Sequence, residues 1–205
     1  MINSVEYYGN FRERCFSSFP TLETKRFLLL KYTKNYQKDI EELFSDEEVM
    51  KYSGTDILDP KIQAEIYLKK IEKNYNNKTG VRWVILDKLT YKFIGDIGLY
   101  NIDFYSNKSE IGYTIVKKYW RQKVATECIE RILRFAFKEL CMNKIIAIIE
   151  KNNKASSQLV KSLGFIEEGV LLEHYFSYKR NQYINVGVWS MIKKRTKFNP
   201  MFCSL

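Results

Sequence analysis

The sequence predicts an α+β fold built on one mostly antiparallel, twisted sheet of about seven strands flanked by helices. Three observations carry this expectation. Strand-like runs arrive in succession at Val81 to Asp87, Tyr91 to Tyr100 and Glu110 to Val116, joined by a short turn at Lys88 to Thr90 and a polar loop at Asp103 to Lys108, as antiparallel neighbours require. A helical rhythm then puts Val124, Ala125, Cys128, Ile129, Ile132, Leu133, Ala136, Phe137 and Leu140 on one face. The run Lys144 to Glu150, KIIAIIE, is nearly continuous in apolar residues, the mark of a strand covered on both faces.

The other elements follow from local chemistry. Residues 1–20 mix aromatics, arginines and serines without a period and read as an N-terminal extension. Arg26 to Thr33 is a candidate first strand, and Tyr36, Ile40, Leu43 and Phe44 mark one face of a short helix. Asp59 before Pro60 is a strong helix start, with Ala64, Tyr67, Leu68, Ile71 and Tyr75 on one side and a polar stop at Asn74 to Thr79. After KIIAIIE, a helix over about Lys154 to Leu163 ends at Gly164, a residue suited to a left-handed stop. Phe165 to Glu173 and Tyr183 to Ile192 complete the sheet, giving a domain over 21–197 and a tail over 198–205.

At 205 residues, with 45% hydrophobic and 15% aromatic side chains, the chain can bury a sizeable core. The net charge of +10 suits acidic partners or a phosphate-bearing cofactor. It does not make a nucleic-acid module, because no helix-turn-helix, RNP-like pair or dominant Lys/Arg cluster accompanies it. The four cysteines are scattered without metal-ligand spacing, and no signal peptide or membrane-length apolar run is present. The expectation is a reduced cytoplasmic protein, monomer or homodimer, with no metal and no membrane association.

Two stretches carry chemistry. The strand EIGYTIV, the basic turn YWRQKVAT and the long helix put free backbone N–H groups at a positive helix end, a place to hold phosphate. Farther on, Glu150 to Phe165 reads EKNNKASSQLVKSLGF, with Asn153 ahead of a helix, Ser156 at its third position and Leu163-Gly164-Phe165 at its close. Taken alone, Asn153 is a helix cap and Gly164 a helix stop. Together and in this spacing, the stretches resemble the GNAT superfamily of acyl-CoA N-acyltransferases, in the branch that includes the RimJ and RimL ribosomal-protein N-terminal acetyltransferases. The resemblance spans about Thr21 to Lys193.

It implies acetyl-CoA as cosubstrate and an amine acceptor, either a protein N-terminus or a small molecule. It implies splayed fourth and fifth strands, here Glu110 to Val116 and Lys144 to Glu150, with the pantetheine arm between them. The backbone of Thr114, Ile115 and Val116 would meet that arm on one side and Asn153 and Ser156 on the other. The turn Gln122, Lys123, Val124, Ala125 and Thr126 would hold the pyrophosphate, with Trp120 first and Ala125 last in the motif. Lys123 stands where the family has glycine, so either its ammonium compensates or cofactor binding is weakened. Many members place a tyrosine acid seven residues after the motif asparagine, and here that place is Val160. Glu110 and Glu150 are the candidate bases, Tyr113 and Tyr175 secondary proton donors, and His174 a loop histidine between the last strands. The alternative is a non-catalytic protein on the same fold that senses acyl-CoA or binds an acidic partner.

Overall fold

The computed structural model describes residues 16–195, so most of the expected N-terminal extension and the whole expected tail lie outside the described residues. The strands are β1 (Leu22–Glu23), β2 (Phe27–Lys31), β3 (Val81–Asp87), β4 (Phe93–Asp103), β5 (Lys108–Ile115), β6 (Lys144–Glu150), β7 (Ile166–Ser177) and β8 (Gln182–Ile192). They form one sheet in the order β1-β2-β3-β4-β5-β6-β8-β7, antiparallel throughout except for β5 beside β6. The strand beyond the expected seven is β1, whose two residues are too few to show a period. β7 continues past Glu173 to Ser177, so His174 lies within an edge strand and not in a loop. The helices are α1 (Gln37–Ser45), α2 (Glu47–Met50), α3 (Pro60–Asn76), α4 (Val124–Arg134) and α5 (Lys154–Leu163).

Each face of the sheet has its own core. On one face α4 and α5 bury Cys128, Ile129, Ile132, Leu133 and Val160 against Trp83, Ile97, Leu99, Ile111 and Ala147. A turn of π-helix at Phe135–Glu139 extends α4, closing with Leu140 N–H on Phe135 O at 3.0 Å, and keeps Phe135, Ala136 and Phe137 buried. On the other face α1 and α3 set Ile40, Phe44 and Ala64 against Val84 and Leu86. α3 starts where Asp59 accepts the Ile62 N–H at 3.0 Å, ahead of Pro60 in the first turn.

Two features of the sheet shape the site. The β3–β4 register shifts between Ile85 and Leu86, where Gly95 takes φ 147°. A Cβ on Gly95 would collide with the Thr114 carbonyl, so glycine is what lets β4 close onto the end of β5. On its other side β5 pairs with β6 only at Lys108↔Lys144, Ser109↔Ile145 and Glu110↔Ile146. Beyond Glu110 the two parallel strands part.

Candidate active site

α4 begins at a turn and not at a capping side chain. After β5 ends, Trp120 folds back and its indole Nε1 donates to Ile115 O at 2.7 Å. Arg121 and Lys123 then take φ of 60° and 58°, and Lys123 immediately precedes the helix. The lysine at the motif's glycine position therefore adopts the left-handed conformation that glycine takes freely, at a cost of roughly 1 kcal/mol. Lys123 supplies no side-chain cap, and Glu127 N–H bonds its carbonyl at 3.1 Å. The N–H groups of Val124, Ala125 and Thr126 thus lack acceptors within the helix and sit at the positive end of its dipole. Gln122 and Lys123 are exposed beside them.

A brace that the sequence did not announce holds this turn. Arg26, just ahead of β2, donates its Nε to Glu127 Oε2 at 2.7 Å, its backbone N–H to Glu127 Oε1 at 2.9 Å, and its guanidinium to Gln122 O at 3.0 Å. Burial works to raise the Glu127 carboxyl, but hydrogen bonds from Thr24 and Arg26 win and hold it below the usual range. A single arginine among 34 basic residues carries no local signal, and its role appears only when β2 and α4 meet.

The parting of β5 and β6 leaves backbone groups unpaired. Val116 N–H donates to Ile94 O at 2.9 Å. Because alternate residues of an antiparallel ladder face the same neighbour, Thr114 also turns to β4, while Tyr113 and Ile115 turn their amides to the opening. Of the three residues singled out in this strand, Ile115 faces the opening through its N–H, with its carbonyl taken by Trp120. Across the opening, Asn153 caps α5 by accepting the Ser156 N–H at 3.1 Å. That uses its carbonyl oxygen and leaves two amide donors, so capping and ligand contact are compatible.

The Tyr113 side chain sits at the same place. Its hydroxyl is buried and has no hydrogen-bond partner among the described residues. Burial raises its pKa, and Ser156, near enough to act on it but outside bonding geometry, lowers it by less. Tyr113 is therefore a neutral phenol with a free proton.

The opening leads into a cavity of about 480 Å³ on the α1–α3 face. Its walls include Tyr113 and Ser156 at the opening, Arg82 and Thr114 on the sheet, Gln63, Tyr67 and Lys70 on α3, and Glu150 at the end of β6. The two candidate carboxylates part company here. Glu110 lies where the strands are still paired, accepts from Asn101 Nδ2 at 2.8 Å, and does not line the cavity. Glu150 lies at the open end, only 5% exposed, and does. Arg180 grips it bidentately, with both bonds at 2.8 Å, and the Tyr175 hydroxyl donates to the same carboxylate. Burial, then the Glu150 contact, pushes the Tyr175 phenol far above its ordinary value. His174 is exposed and outside the cavity.

Arg180 belongs to the β7–β8 hairpin, which is itself tied to the cavity's rim. Asp56, in the loop before α3, accepts from Ser177 Oγ at 3.0 Å and Lys179 N–H at 3.2 Å. A second buried pair underlies the floor, where Arg82 donates twice to Asp96 at 2.9 and 2.7 Å and the Tyr32 and Tyr67 hydroxyls donate as well. Among the described residues no group of three His, Cys, Asp or Glu side chains is placed to hold a metal ion.

Comparison with known proteins agrees with this geometry. The Acetyltransferase (GNAT) domain model matches residues 26–166. An uncharacterized N-acetyltransferase of Bacillus subtilis, YoaA, is 32% identical over 177 residues, 86% of this chain and 99% of its own length. Among solved structures, RimJ of Mycobacterium smegmatis in complex with CoA-disulfide superposes with a TM-score of 0.77 at 14% identity, covering 86% of this chain and 88% of that one. Spermidine N-acetyltransferase of Vibrio cholerae in complex with CoA and spermine has a TM-score of 0.72 at 21% identity, covering 82% and 96%. With its splayed parallel pair, its uncapped helix after a left-handed turn and its match to the domain model over most of its length, the chain belongs to the GNAT family of acetyltransferases.

Proposed function

We propose that the protein moves an acetyl group from acetyl-CoA to a primary amine by direct attack on the thioester. The observation that supports this most is the opening where β5 and β6 part, with Tyr113, Asn153 and Ser156 at the cavity beside it. The cosubstrate supplies an activated acyl carbon and a thiol leaving group. This chain's residues fit its other parts. The amides of Val124, Ala125 and Thr126, with Gln122 and the Lys123 ammonium beside them, suit a pyrophosphate. The Thr114 to Val116 segment and the donors of Asn153 and Ser156 flank the opening where the two strands part.

The chemical step needs a neutral amine, and an α-amine with pKa about 7.7–8.0 loses its proton far more readily than a lysine at about 10.4. We assign Glu150 to receive that proton, because it lines the cavity and Glu110 does not; the two bonds from Arg180 hold its carboxylate in place. An N–H facing the opening, such as that of Ile115, can donate to the carbonyl oxygen as charge develops there. Tyr113 is assigned to protonate the departing thiolate, a role for which its buried, unpartnered hydroxyl is suited.

The test is to supply acetyl-CoA with a panel of N-terminal peptides and small amines, following thiol release and the acetylated product by mass spectrometry. Thiol release coupled to N-acetylation of at least one amine is expected. Saturable acetyl-CoA binding with no product from any amine would favour an acyl-CoA-sensing protein and overturn the catalytic reading.

A further inference from the structure

Among the described residues, the charged groups that line the cavity are paired, with one exception. Glu150 is matched by Arg180 and Arg82 by Asp96, each through two hydrogen bonds. Lys70 also lines the cavity, and no carboxylate among the described residues lies within ion-pair distance of it. It is part of a stripe along α3: Gln63, Tyr67, Lys70 and Asn74 recur at helical spacing and all face the same space. Three of these carry N–H donors at their tips, so the wall opposite the sheet offers an ammonium and two amides.

We propose that the acceptor is an amine that also carries a carboxylate, with Lys70 binding the carboxylate and thereby setting acceptor specificity. This deepens the reading of the protein as an amine acetyltransferase and rests on it. A cavity with one uncompensated positive charge repels a polycation such as spermidine, which would bring two or more further ammonium groups to a space without a free carboxylate. An acidic acceptor instead restores neutrality. The same field favours loss of the acceptor's ammonium proton, since a like charge nearby disfavours the charged form. The attraction therefore acts on the carboxylate and the repulsion on the proton that must leave.

The experiment compares kcat/KM for three acceptor classes: peptides with aspartate or glutamate at the second or third position, the same peptides with asparagine or glutamine there, and spermidine. Single amino acids with a free α-carboxylate form a further arm, separating a side-chain carboxylate from a main-chain one. We expect the acidic peptides to exceed their amides by about tenfold, the size of one charge-assisted hydrogen bond at a partly wet site. Lys70→Glu, at an exposed helix position where folding is not at risk, should invert that ranking. Preference for spermidine, or an acidic-to-amide ratio unchanged in Lys70→Glu, would overturn the proposal while leaving acetyl transfer standing. Absence of turnover with every amine would overturn the functional reading itself, and this inference with it.

Discussion

Replacing Lys123 with glycine should strengthen the fold and weaken the cofactor site. Lys123 holds φ 58° and ψ 19° immediately before α4, without a capping bond from its side chain. A non-glycine residue in that region costs about 1–2 kcal/mol, and glycine returns about 0.5–1 kcal/mol of that through its greater freedom in the unfolded chain. The net gain is about 0.5–1 kcal/mol, which for a domain of this size is a rise of about 1–4 °C in Tm. The ammonium, however, is an exposed charge beside three unpaired amides. Removing a screened contact with phosphate should cost about 0.5–1 kcal/mol, or about two- to fivefold in the Kd for CoA. Thermal unfolding of the free protein and calorimetric titration with CoA at two salt concentrations read the two effects separately. A lower Tm in the free variant would refute the backbone argument, and tighter CoA binding would mean that the lysine side chain obstructs the site.

Three further outcomes follow from the same geometry. Tyr113→Phe removes a hydroxyl without a hydrogen-bond partner among the described residues, so stability should hold or rise slightly while kcat falls about a hundredfold, read by urea unfolding beside steady-state rates. Because burial raises the Tyr113 pKa above its ordinary 10, the neutral phenol persists through pH 10; the rate with an α-amine acceptor should climb to about pH 8 and then level, without an alkaline fall below pH 10. Glu150→Gln keeps the shape but loses the charge opposite Arg180, and should cost about 2 kcal/mol of stability by denaturant titration together with about a hundredfold in kcat/KM. Gly95→Ala forces a Cβ into the Thr114 carbonyl and should lower Tm by several degrees, with CoA affinity lost at temperatures where the variant remains folded.

Much of the architecture was legible because its signals are local. The ends of β6 and α5 fall at Lys144, Glu150, Lys154 and Leu163, where the apolar run, the Asn153 cap and Gly164 put them. β7 runs past the expected end at Glu173 because it is an edge strand whose alternation fails: Leu171 and Leu172 are both exposed and Glu173 takes φ 48°. Only the direction of the strands separates the two carboxylates. β5 and β6 run parallel and part toward their C-terminal ends, so Glu110 stays in the paired part and Glu150 reaches the open one. Arg26, Arg180 and Asp96 each act on partners distant in sequence, at separations of 101, 30 and 64 residues for Glu127, Glu150 and Tyr32, and no periodicity could announce them. In the sequence Tyr113 is one strand tyrosine among others; what distinguishes it is a buried hydroxyl without a hydrogen-bond partner among the described residues.

The claim on which the rest depends is that acetyl-CoA seats in the opening between β5 and β6 despite Lys123. Thermal unfolding with and without acetyl-CoA tests it directly. A ligand present at a hundred times its Kd adds about 2.7 kcal/mol of stability, which predicts a rise of about 5–10 °C in Tm. The rise should diminish when the opening is narrowed by Ser156→Trp. An unchanged Tm at millimolar acetyl-CoA would contradict the account, leaving a GNAT fold whose turn no longer holds the cofactor.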